Sequence, residues 1–304
     1  MKKTSGDEVN SKMLFYIPEY SPLADIHMIK RRFILAERIK NEKIGTVVTG
    51  RSATDEDVLS FHTPEYVDAL KTGYPDEIAS SGLHWSETLY EDAKKNTGSL
   101  LNAIDESLSK GVSGALGLGG HHALPEHGGA LSVLNCIGIG VMYAKKRVQR
   151  VLMLDLDMHF SNGTTIGLAD AENVFLFDYY GQAYNFNRPN IPHLFRDLSG
   201  EPYGASYLNM LRNELPRTID QFQPNLCIYL SGMDVYKGSA NARLFLGEND
   251  IKVREEFVFN QFAERKIPIA YTYGGGYYTE ETAANLYYLA AKAASDAFLK
   301  FYNS

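Results

Sequence analysis

Short unbroken apolar runs alternate along the chain with longer stretches of helical spacing. MLFYI (13–17), the run beginning at Val151, VFLF (174–177), LCIYL (226–230) and IPIAYT (267–272) each read as a strand buried on both faces. ALGL (115–118) closes a Gly-rich segment over 111–120. Helical spacing covers 25–43, where basic residues gather on one side, then 134–146, 207–222, 250–265 and 280–301. Over 86–108, Leu89, Ala93, Leu100, Leu101, Ile104 and Leu108 approximate one apolar stripe. Residues 58–70 hold a loop and a short helix, with Pro64 suited to a first turn. Apolar strands interleaved with helices predict an α/β fold, a parallel sheet covered on both faces. There is no internal repeat, low-complexity tract or linker, so residues 1–304 read as one domain, with 1–12 as a flexible tail.

In such a sheet, ligands bind beyond the carboxyl ends of the strands. Polar clusters stand at four expected strand exits. Gly119, Gly120, His121 and His122 follow ALGL, and Asp155, Asp157 and His159 end the strand from Val151. Ser231, Gly232 and Asp234 follow LCIYL, and Gly274, Gly275, Gly276 and Tyr277 follow the last strand. Read as strand, the Asp-x-Asp-x-His spacing puts two carboxylates and an imidazole on one face. That is poor packing but suits a divalent ion such as zinc. Each cluster alone has a plainer reading: an acidic turn, a satisfied surface His pair, a glycine turn. Their coincidence at four exits favours a site.

Composition narrows the partners. Hydrophobic content of 44% and charged content of 22% are ordinary for a globular protein. A net charge of −7 argues against a nucleic-acid backbone as partner. Cys136 and Cys227 lie in apolar stretches, which reads as two reduced, packed thiols of a cytoplasmic protein. The opening MKKTSGDEVNSK has no apolar core, so it is not a secretory signal, and no apolar run is long enough to span a membrane.

GGHHA (119–123), LDLDMH (154–159), SGMD (231–234) and GGGY (274–277) together resemble the motif series of the histone deacetylase family. GALSVLN (129–135) and HTPEYVD (62–68) match in order and spacing, and the likeness runs from Tyr16 to about Leu286. The compact length, LHWSETLY (83–90) and the GGGYY ending are most like the class IV and bacterial deacetylase branch. The resemblance implies the arginase/deacetylase fold and one catalytic Zn2+ held by Asp157, His159 and Asp234. It implies His122 as general base and then acid, His121 as its electrostatic and proton-sharing partner, and Tyr277 as donor to the oxyanion. Asp155 would accept from His121 and Asn162 would orient His122. K+ or Na+ would sit near Asp155, with Asp178 as a second ligand. Gly120, Leu131, Gly275 and Tyr184, with Phe186 as its neighbour, would contact the substrate. That substrate would be an acylated lysine peptide or protein, or a small acylated amine such as an acetylpolyamine.

The chain departs from the family's pattern in places. Phe160, Ser161, Asn162 and Gly163 follow His159, where His or Gln, Gly, Asp or Asn, and Gly are usual. Ala130 and Leu131 replace a glycine and a tunnel aromatic, and Gly238, Ser239, Ala242, Arg243 and Leu244 alter the stretch after Asp234. With the ligands and Tyr277 intact, these changes read as altered specificity, and Leu131 suggests acyl chains longer than acetyl. A haloacid-dehalogenase-type phosphatase also opens on Asp-x-Asp, but near its N-terminus, whereas about half of this chain precedes Asp155. A binuclear arginase or agmatinase needs further aspartates around the His pair, which GGHHALPEH lacks. A non-catalytic scaffold binding acylated peptides would have no use for Tyr277.

Overall fold

The computed structural model describes residues 12–20, 26–79, 82–183, 188–199, 204–238 and 244–303. The expected tail, apart from Lys12, lies outside them, as do Ser239, Ala242 and Arg243.

Among the described residues eight strands form one sheet: β1 (Leu14–Ile17), β2 (Thr46–Thr49), β3 (Val112–Leu118), β4 (Val151–Asp155), β5 (Val174–Tyr180), β6 (His193–Asp197), β7 (Leu226–Gly232) and β8 (Ile269–Gly274). Their order is β2-β1-β3-β8-β7-β4-β5-β6, and every neighbouring pair is parallel. All residues of β4 and β7 are buried, as their unbroken apolar sequences require. Alternate side chains serve opposite faces. Leu152 and Leu154 join one core with Tyr229, Phe259 and Tyr271, while Val151 and Met153 join another with Ile104, Ile137 and Leu230.

The helices are α1 (Ile26–Asn41), α2 (Asp55–Leu59), α3 (Pro64–Thr72), α4 (Asp76–Ala79), α5 (Leu89–Lys110), α6 (Cys136–Lys145), α7 (Asn162–Gly167), α8 (Gly204–Phe222), α9 (Glu248–Glu264) and α10 (Glu280–Phe301). Pro64 starts α3, where the Thr63 side chain accepts from the Tyr66 N–H, and Gly73 ends it at φ 76. Leu100, Leu101 and Ile104 of the α5 stripe are buried. No helix among the described residues is long and apolar enough to cross a membrane.

One expectation needs correction. Strand β4 stops at Asp155, so Asp157 and His159 lie on the loop beyond it rather than on one strand face. The carboxylates cause this: Asp155 Oδ1 accepts the Asp157 N–H and Asp157 Oδ1 accepts the His159 N–H, each at 2.9 Å. Local bonds of this kind replace the ladder. On α1, Arg31 and Arg32 are both 4% exposed.

Candidate functional site

Strands β3, β8, β7 and β4 are consecutive in the sheet, so their four exits form one continuous edge. Asp157, His159 and Asp234 offer ligand atoms within 4.8 Å of one another there. His159 Nδ1 lies 3.2 Å from Asp157 Oδ1 and 2.9 Å from Asp234 Oδ2. The second approach is close but lacks hydrogen-bond alignment, and Oδ2 of both aspartates is buried without a hydrogen-bond partner. Two buried carboxylates with unsatisfied oxygens beside an imidazole nitrogen fit a divalent cation. Glycine makes this approach feasible. A Cβ on Gly275, at φ +60, would lie 2.5 Å from Asp234 Cγ, and one on Gly232 would lie 2.2 Å from Asp157 Cα.

The electrostatics follow from this crowding. Burial and the charge of Asp234 push Asp157 up to about 6. Burial also acts against Asp234, but contact with His159 leaves it below the usual carboxylate range. For His159, burial is outweighed by the adjacent carboxylates of Asp157 and Asp234, which raise it to about 11. The cluster therefore attracts positive charge strongly.

The tandem histidines sit on the loop after β3. His121 Nδ1 lies 2.8 Å from Asp155 Oδ2, and His122 Nδ1 lies 2.7 Å from Asn162 Oδ1, so both expected pairs are in contact. Their Nε2 atoms face each other at 3.1 Å. Such a contact needs a proton between the rings, and Asn162 Oδ1, as acceptor, fixes the proton of His122 on Nδ1. His122 Nε2 is then a lone pair facing His121. Burial lowers both imidazoles, and His121 lowers His122 further.

Behind the cluster, Asp155 and Asp178 are register partners on β4 and β5. Asp178 Oδ2 accepts from the Ser161 N–H at 2.9 Å and the Ser161 hydroxyl at 2.6 Å, while its Oδ1 is buried without a partner. Burial raises both carboxyls well above their usual range.

A cavity of about 720 Å³ reaches the histidine pair, Asp157 and His159. Its mouth includes Trp85, Leu131 and Tyr277, and its walls include Gly120, His121, His122, Asp157, His159 and Gly275. Leu131 and Tyr277 are 46% and 48% exposed, so both belong to the rim. Tyr184 and Phe186 lie outside the described residues. Phe160 is fully buried, edge-on to Tyr180 and Phe195 at 4.9 and 5.0 Å, and so serves the core. A second cavity, about 520 Å³ around Lys110, Lys266 and Tyr302, opens at the other end of the strands, away from the metal-type donors.

Sequence reasoning missed Arg254. It is fully buried on α9, and its guanidinium donates to Leu156 O at 3.1 Å and Gly232 O at 2.7 Å. Those carbonyls precede the loops carrying Asp157 and Asp234. In the sequence, Arg254 is one charge among KVREE, with nothing to distinguish it.

A histone deacetylase domain matches residues 26–293. Histone deacetylase 2 of Arabidopsis thaliana is 28% identical over 261 residues, covering 81% of this chain and 66% of that protein. Polyamine deacetylase HDAC10 of Danio rerio is 23% identical, covering 70% of this chain and 36% of that protein. The chain thus aligns with just under two thirds of the plant relative and about a third of the fish one. The crystal structure of the HDA15 HD domain superposes with a TM-score of 0.76 at 15% identity, covering 96% of both chains.

Proposed function

The chain belongs to the histone deacetylase family, and we propose that it is a single-domain, zinc-dependent amidohydrolase removing acyl groups from lysine side chains. The observation that carries this reading is a cavity that brings a polarised histidine pair and a tyrosine to Asp157 and His159 of the three-donor cluster. Asp157, His159 and Asp234 would hold the zinc, whose chemistry when bound is Lewis acidity toward the acyl carbonyl and the attacking water. His122 is the base: its Nε2 takes the water's proton and returns one to the departing amine, while Asn162 holds the ring. His121 shares that proton through the 3.1 Å contact, backed by Asp155. Tyr277 donates to the oxygen on which negative charge develops.

Gly120, Leu131 and Gly275, which line the cavity, would contact the acyl-lysine. Asp155 and Asp178 would hold K+ or Na+, for which the unpartnered Asp178 Oδ1 is a fitting ligand. The free, buried Cys136 and Cys227 support a cytoplasmic setting. Acetylpolyamines are the second substrate reading, supported by the likeness to the fish polyamine deacetylase.

Metal analysis of protein purified without added metal is expected to find about one zinc per chain. Asp234→Asn should lose both the metal and hydrolysis of acyl-lysine peptides. Full hydrolysis after exhaustive chelation would overturn the reading.

A further inference from the structure

Arg32, on α1, lines the same cavity as Asp157 and His159 at a deeply buried position. Its neighbour Arg31 is well satisfied, bonded to the carbonyls of Gly275 and Gly276 and 3.4 Å from Glu280. Arg32 is not. Its Nε is buried without a hydrogen-bond partner. Its Nη1 reaches Asn96 Oδ1 at a long 3.5 Å, an oxygen already accepting from the Leu118 N–H and the Tyr20 hydroxyl, each at 2.9 Å. The Tyr20 ring lies 5.0 Å from the guanidinium.

Among the described residues no carboxylate comes within ion-pair distance of Arg32. Asp92, on the same cavity wall, is 3.4 Å from Lys95 instead. Burial lowers Arg32 to about 10, still high enough to keep the charge at neutral pH. A buried cation without a counter-charge is strongly unfavourable unless an anion completes it. A guanidinium is suited by geometry to a carboxylate.

We propose that Arg32 receives the far carboxylate of a short dicarboxylic acyl group, such as succinyl or glutaryl, carried on the amine that the enzyme releases. This rests on the amidohydrolase reading and names the acyl class within it. Water adds its oxygen to the acyl carbon, the carbon–nitrogen bond breaks, the amine leaves with a proton, and a dicarboxylate remains. A plain aliphatic chain would instead leave the guanidinium dry and unpaired. The expectation of acyl groups longer than acetyl is kept, but with a charged end.

The test compares kcat/KM for acetyl, butyryl, succinyl and glutaryl versions of one lysine peptide. The native enzyme should favour succinyl over butyryl at least tenfold, and Arg32→Gln should lower that ratio by a similar factor, with Arg32→Lys in between. Free glutarate, followed by thermal shift, should stabilise the native protein and not Arg32→Gln. Without ligand, Arg32→Gln should melt higher, since an unpaired buried charge is gone. If acyl-lysines are hydrolysed with butyryl equal to or above succinyl, this inference fails and the amidohydrolase stands. If no acyl-lysine is cleaved, the amidohydrolase reading fails, and Arg32-dependent glutarate binding alone would support the carboxylate site. Arg32-dependent binding of acetate without any succinyl preference would mark a product site only and overturn the substrate assignment.

Discussion

The hydroxyl of Tyr277 is the group whose value to catalysis should differ most between ground and transition states. Desolvation on the side facing the cavity and the charges of Asp157 and Asp234 raise the phenol, so it stays a proton donor throughout the neutral range. Tyr277→Phe is expected to lower kcat by roughly 10² to 10³-fold while leaving substrate affinity nearly intact, measured by steady-state kinetics and peptide binding. An unchanged kcat would remove the tyrosine from the mechanism. His62 makes a contrasting case. Its Nε2 accepts the Asn135 N–H at 3.0 Å and its Nδ1 faces Pro125 O at 3.3 Å, so it is a neutral structural link. Burial pushes it down to about 4, against 6.5 for an ordinary histidine. The unfolded chain therefore binds the extra proton first. Stability from this group is complete above pH 6.5 and is lost as pH falls toward 4, by up to about 3 kcal/mol. Denaturant melts of the native protein and His62→Gln across that range should converge as pH falls; parallel curves would refute the assignment. Both histidine pairings, Asp155 with His121 and Asn162 with His122, were legible from the family motifs. The packing role of Phe160 was not, because a substitution beside a ligand does not say which way its ring points.

At the scale of elements, the buried strands were readable and the edges were not. In β4 and β7 every residue is apolar or buried, whereas β2 (TVVT) and β6 (HLFRD) are half-exposed and carry too little hydrophobic pattern to stand out. The loop after β4 was misread because carboxylate-to-backbone bonds, invisible to periodicity, end the strand at Asp155. What holds that loop beside the exit of β7 is Arg254, reaching Leu156 O and Gly232 O from α9. It also pairs with Glu255, at 2.6 Å and fully buried. Removing one member of such a pair leaves a buried charge, so Arg254→Met should cost about 3–5 kcal/mol in chemical denaturation. Arg254→Met/Glu255→Met should recover much of that stability. If the guanidinium also sets the loops, zinc affinity in a chelator competition should stay weakened in the double variant. Recovery of native zinc affinity would reduce Arg254 to a packing role.

Across the whole molecule, the sheet places its acidic groups at one end. Asp155, Asp157, Asp178 and Asp234 are all essentially inaccessible to water there, and two of the strands that deliver them are the fully buried β4 and β7. That general location followed from strand polarity alone, since polar clusters at consecutive exits must share an edge. The cavity's inner lining did not follow, because Arg32 is brought to it by a helix about ninety residues upstream of the His pair. The stability of the fold should therefore depend on cations. Without them, mutually repelling carboxylates are buried, which is why Asp157 is pushed up to about 6. Zinc bound to the native state alone would stabilise it by about 2.7 kcal/mol at a hundredfold excess over Kd, a rise of roughly 5 °C in Tm. The measurement is calorimetry of chelated protein titrated with zinc, beside Asp234→Asn. The native protein should shift upward with zinc concentration and the variant should not. An equal shift in both would mean that zinc binds elsewhere, and no shift in either would deny the edge its metal.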